Sequence, residues 1–83
     1  MKINVRYRAR LAELTKISEE LLDAATVQDV IKHIKKSFGA EAAKTARAMI
    51  IAVNGQSILQ LKVFKTVLQD SDEVSFLPIC GGG

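Results

Sequence analysis

The chain has 83 residues, 48% of them hydrophobic and 25% charged, with one cysteine, no tryptophan and a net charge of +3. That length holds one small domain and excludes two cores or a full nucleotide-binding α/β enzyme, while the composition excludes a disordered or low-complexity chain. A single cysteine excludes an internal disulfide, no signal-like segment follows the basic start, and no apolar run of about eighteen residues is present, so a reducing, cytoplasmic setting is expected and a membrane partner is not.

Lys2 to Arg8 alternates strictly, with Ile3, Val5 and Tyr7 on one side and Lys2, Asn4, Arg6 and Arg8 on the other, which predicts a strand with one buried face. Ala9 to Lys16 carries Leu11 and Leu14 at helical spacing but is too short to hold a helix alone, so a single turn or loop is expected. Ser18 to Asp23 reads as a second strand. Thr26 and Asp29 form an approximate capping box ahead of Val27, Val30, Ile31, Ile34 and Phe38, the apolar stripe of the main helix. Lys35 and Lys36 suit its last turn and Gly39 its stop. Ala40 to Ala48 favours a short second helix or a loose turn.

Met49 to Val53 is a continuous apolar run that predicts a strand covered on both faces, and Asn54-Gly55 then predicts a type I′ hairpin into a strand over Gln56 to Leu61. Gln69 to Asp72 is a polar turn, and Glu73 to Ile79 a final strand stopped by Pro78, which lacks a ladder donor. Together these elements predict an α+β domain over residues 1–79 and a glycine tail over residues 80–83.

The smaller constellations carry little chemistry. Lys2, Arg6, Arg8 and Arg10 crowd the start, but no aromatic residues interleave with them to stack bases, which disfavours a nucleic-acid partner. His33 follows Asp29 by one helical turn and reads as an exposed pair, with no second histidine for a metal and no serine for it to activate. Asp70, Asp72 and Glu73 lack the glycine and distant glutamate of a calcium loop. No phosphate-binding glycine loop precedes a helix. Cys80 reads as a small apolar residue ending the last strand, and nothing near it in sequence lowers its thiol pKa.

Gly81, Gly82 and Gly83 follow the last strand, where they cannot serve a turn between packed elements. A glycine tail is costly to order and is therefore expected to be flexible. Without side chains it can enter a narrow channel in another protein and present its terminal carboxylate there. A carboxylate is a poor electrophile, so chemistry on it begins with activation, normally as an acyl-adenylate. The chain would be the substrate of that step and needs no active site of its own.

Three stretches carry a resemblance: Ala52-Val53-Asn54-Gly55, then Leu68-Gln69-Asp70-Ser71-Asp72-Glu73-Val74, then Phe76-Leu77-Pro78-Ile79-Cys80-Gly81-Gly82-Gly83. They resemble the ubiquitin-like β-grasp sulfur carriers, most closely the small subunits of molybdopterin synthase, whose last segment looks like L-x-D-G-D-E-V-x-F-x-P-P-V-x-G-G and aligns here without a gap. The resemblance implies a β-grasp fold: a mixed sheet with one main helix packed across it and a short second helix. It further implies that Gly83 is adenylated by a ubiquitin-activating-type enzyme that uses ATP, is converted to a thiocarboxylate by a sulfur donor, and gives its sulfur to a pterin in the large synthase subunit. Gly81 and Gly82 would thread the tail, and no permanently bound cofactor or metal is implied. Phe76, Leu77, Pro78 and Ile79 are expected to dock the partner, only some of them facing outward, since Val74 and Phe76 share one face of the strand and Leu77 and Ile79 the other. A ubiquitin-like modifier joined to lysines, or a carrier for thiamine or tRNA thiolation, fits the same tail. The chain departs from the pattern at Ser71, which replaces a glycine and fits if the turn needs no positive φ, at Ile79 to Gly81, and at Arg8, where an aromatic or apolar docking residue is common.

Overall fold

The computed structural model describes residues 1–79. Strand β1 (Lys2–Arg6) lies inside the sheet, because its alternation buries Ile3 and Val5 while Lys2, Asn4 and Arg6 face the open side. It pairs antiparallel with β2 (Glu19–Asp23) and parallel with β5 (Glu73–Leu77). On the far side of β5 comes β3 (Ile50–Val53), antiparallel, then the two-residue β4 (Gln56–Ser57). The order β2-β1-β5-β3-β4 makes the chain's last strand the middle one of a mixed five-stranded sheet, the β-grasp arrangement.

Helix α2 (Val27–Phe38) crosses one face and buries Val27, Val30, Ile31 and Ile34 against Ile3, Val5, Val74 and Phe76. Its start is the reciprocal capping box: the Thr26 hydroxyl accepts from the Asp29 N–H at 3.3 Å, and the Asp29 carboxylate accepts from the Thr26 N–H at 3.1 Å. Gly39, at φ 100°, stops α2 and begins α3 (Ala40–Ala48) in a left-handed conformation that a side chain would strain. The alanines expected to have little to bury are packed fully inward at positions 42, 43 and 46. Their small size lets α3 lie close beside α2.

Two expectations are corrected. Ala9–Thr15 forms a full helix, α1, although seven residues would not be helical in isolation. Tertiary contacts supply the difference: Leu11 is wholly buried, Arg10 reaches Glu41 of α3 at 3.3 Å, and Lys16, at φ 64°, closes the end by donating its N–H to the Ala12 carbonyl. The second hairpin strand, in contrast, ends at Ser57. The Ser57 hydroxyl accepts from the Leu59 N–H at 3.2 Å and diverts the chain into a 3₁₀ turn over Ile58–Gln60, followed by another over Val63–Lys65. The hairpin turn itself is as expected, with φ of 51° at Asn54 and 86° at Gly55.

Candidate functional site

The surface around Pro78 and Ile79 is built by three elements: the end of β5, the junction of α3 with β3, and the 3₁₀ turns. At the other end of β5, the acidic turn sets the direction in which that strand runs. Asp72 accepts from the Asn54 side chain at 2.9 Å with one carboxylate oxygen and from the Gln69 N–H at 2.8 Å with the other. The Glu73 N–H donates to the Asn54 side-chain oxygen at 2.9 Å, and Asp70 accepts from the Lys2 N–H at 2.9 Å. These carboxylates are therefore structural staples that join the turn to the hairpin and to β1. Ser71 sits at φ 72°, so the turn does need a positive φ and the condition under which serine replaces glycine without strain is not met. Its N–H donates to the Lys2 carbonyl at 2.7 Å, which holds the strained residue in place.

Beyond β5 the proposed docking residues divide. Phe76 is fully buried, stacked on Tyr7 with ring centroids 6.0 Å apart, and is corrected from docking residue to core residue. The alternation of a half-buried strand requires this, since Val74 and Phe76 share the face under α2. Leu77, opposite Ile50 across the β3–β5 ladder, is half-buried, while Pro78 and Ile79 are exposed. Ile79 stands between two open grooves. One, of about 540 Å³, runs between α1 and α3 and is lined by Ala9, Arg10, Lys44, Ala48 and Pro78 among others. The second, of about 530 Å³, lies between the end of α3, β3 and the 3₁₀ turns, where Met49, Ile50, Leu59 and Phe64 contribute. The run read as covered on both faces is so only over Ile51, Ala52 and Val53, because Ile50 is 43% exposed at this groove. Sequence periodicity gave no sign of either groove, which depends on where the diverted 3₁₀ turns fall. Cys80, Gly81, Gly82 and Gly83, which include the expected reacting carboxylate, lie outside the described residues.

His33 is not paired with Asp29, whose carboxylate is committed to the cap. Its Nε2 lies 3.0 Å from Glu20 of β2, and the Tyr7 hydroxyl donates to the same carboxylate oxygen. Burial, then the hydrogen bond to Glu20, pushes the Tyr7 phenol well above its ordinary pKa. This half-buried cluster ties α2 to the sheet and has no nucleophile beside it. At the opposite end, the N-terminal ammonium and then Lys2 hold the Asp23 carboxyl below its ordinary range. The basic start is largely paired, Lys2 with Asp23, Arg6 with Glu73, and Arg10 with Glu13 and Glu41. Among the described residues no group of three or more His, Cys, Asp or Glu could hold a metal, and no helix is long and apolar enough to cross a membrane.

The model of the ThiS family matches residues 5–83. No curated protein matches the chain. Solved structures share the fold along nearly all of it. Small archaeal modifier protein 1 of Methanosarcina acetivorans is 28% identical with a TM-score of 0.83, over 99% of this chain and 96% of that one. A candidate molybdopterin converting factor subunit 1 of Pyrococcus furiosus is 27% identical with a TM-score of 0.71, over 94% and 97% of the two chains. A complex of subunits 1 and 2 of molybdopterin-converting factor from Helicobacter pylori contains a chain that is 23% identical with a TM-score of 0.70, over 100% of each, a likeness of fold.

Proposed function

This chain belongs to the ThiS family of ubiquitin-like sulfur carriers, and from that premise we propose that it carries sulfur as a thiocarboxylate on Gly83 and donates it, in the cytoplasm, to molybdopterin biosynthesis. The observation that carries the reading is that the family match runs through residue 83 and so takes in Gly81–Gly83 together with the acidic turn and last strand before them. A Gly83 carboxylate oxygen would attack the α-phosphorus of ATP held by a ubiquitin-activating-type enzyme, with pyrophosphate leaving. Hydrosulfide delivered by a sulfur donor would then attack the acyl carbon, with AMP leaving and a proton released, to give the thiocarboxylate. In this scheme the chain binds no cofactor of its own and the catalytic groups belong to its partners. Gly81 and Gly82 admit the tail to a narrow channel, and Leu77, Pro78 and Ile79 meet the channel's mouth.

The pterin pathway is favoured by the likeness to the Pyrococcus furiosus protein, and a large synthase subunit as partner by the two-subunit Helicobacter pylori complex. Intact-mass measurement on protein isolated from its own cells tests the reading. A fraction should carry the mass increase of one oxygen replaced by sulfur, and deletion of Gly83 should abolish sulfur transfer while leaving the fold intact. Transfer that persists without Gly83 would overturn it.

A second reading, conjugation of Gly83 to lysines of other proteins, is favoured by the likeness to the archaeal modifier. Affinity capture followed by digestion decides it: glycine remnants on target lysines support conjugation, and their absence across growth conditions argues against it.

A further inference from the structure

The two grooves beside Ile79 are apolar but are not evenly charged at their edges. Ile79 is 63% exposed, Leu59 80% and Val63 38%, and with Ile50 and Met49 they form one contiguous apolar surface of the kind that marks an interaction site. Among the described residues Glu41 is the only carboxylate lining either groove, and Arg10 pairs with it at 3.3 Å. Lys44 lines the first groove and Arg47 the second, one helical turn apart on α3. Both are exposed, and neither side chain has a hydrogen bond or ion pair among the described residues. Asp23, Asp70 and Asp72 sit at the opposite end of the sheet, by the start of β5.

We propose that the paired grooves flanking Ile79 dock a protein face with an apolar centre and carboxylates at its rim, the carboxylates meeting Lys44 and Arg47. The proposal rests on the sulfur-carrier reading and specifies the partner face that receives the chain beyond residue 79. Pro78 and Ile79 line the grooves, so a partner that takes up the following residues lies against this surface. An acidic rim is attracted to it and correctly turned, whereas a basic rim is repelled. Nucleic acid is the poorer fit. Its phosphates would use the two cations but leave the apolar grooves unfilled, and the only ring lining them, Phe64, is half-buried and offers little for stacking.

The test uses the full chain and the ubiquitin-activating-type enzyme encoded in the same genome, with ATP–pyrophosphate exchange followed against carrier concentration. The double variant K44E/R47E should raise KM roughly tenfold and leave kcat within about twofold, and added salt should weaken the parent chain more than the variant. Leu59→Ser should raise KM without altering the salt dependence. Thermal melts of the variants should match the parent, since these side chains are exposed. A KM for K44E/R47E within about twofold of the parent value overturns the docking surface, as does binding of a tRNA probe that the double variant abolishes while KM stays unchanged. No exchange with the parent chain overturns the carrier reading and the surface with it. Exchange by the parent with unchanged KM in both variants overturns the surface alone.

Discussion

Where β5 begins, Asp70, Asp72, Glu73 and Asn54 exchange hydrogen bonds with the backbones of β1, the hairpin and the turn itself. Where β5 finishes, the surface is apolar, and two of its cations, Lys44 and Arg47, have no side-chain partner among the described residues. The same strand thus passes from an end closed by polar staples to an end left open for another molecule. The stapled end spends its polar groups on hydrogen bonds within the chain, each a modest net contribution at an exposed site, while the far end makes few such bonds with its own chain. Between the two ends lies the core, where the buried rings of Tyr7 and Phe76 stack.

Breaking that core should have the largest effect. Phe76→Ala removes a fully buried ring and should destabilise the fold by about 3–5 kcal/mol in denaturant titration, enough to unfold much of so small a domain. Tyr7→Phe removes a hydrogen bond to a carboxylate and should cost about 1.5–3 kcal/mol at neutral pH. It should also remove a pH dependence. The folded phenol's pKa is raised, so its stabilisation is complete below the unfolded value of about 10 and is lost as pH rises above it. Alkaline melts should therefore fall for the parent chain and stay flatter for the variant.

At the stapled end, Asp72→Ala frees the Asn54 side chain and the Gln69 N–H and should cost about 1–2 kcal/mol by the same titration. Ser71→Gly relieves a positive φ and should raise stability by about 0.5–1 kcal/mol, the left-handed strain outweighing the entropy a glycine adds. The open end should be the least sensitive. Ile79→Ser should change stability by less than about 0.5 kcal/mol while weakening partner binding. A large loss of stability there would show that the two ends are not built differently.

Signals contained within a few residues were legible in the sequence. The Thr26–Asp29 box, the Asn54-Gly55 turn and the alternation of the first and last strands each state their own geometry, and the residues resembling sulfur carriers identified the family. What was not legible depends on distant partners. Helix α1 exists because Leu11 is buried and Arg10 finds Glu41 on α3; His33 answers to Glu20, thirteen positions earlier on β2. The two-residue β4 follows from a serine hydroxyl competing with the ladder, and the grooves follow from that diversion. Whether serine fits the turn freely is not legible either, because the backbone around Ser71 fixes its positive φ.

The placement of β5 between β1 and β3 bears on how the domain withstands being worked upon. A pull along the strand axis on the chain beyond Leu77 would load two ladders in shear at once, one parallel and one antiparallel. Hydrogen bonds loaded in shear must give way together, whereas an edge strand peels one bond at a time. A handle anchored in the middle of the sheet can thus be tugged repeatedly while the body that is recognised stays intact.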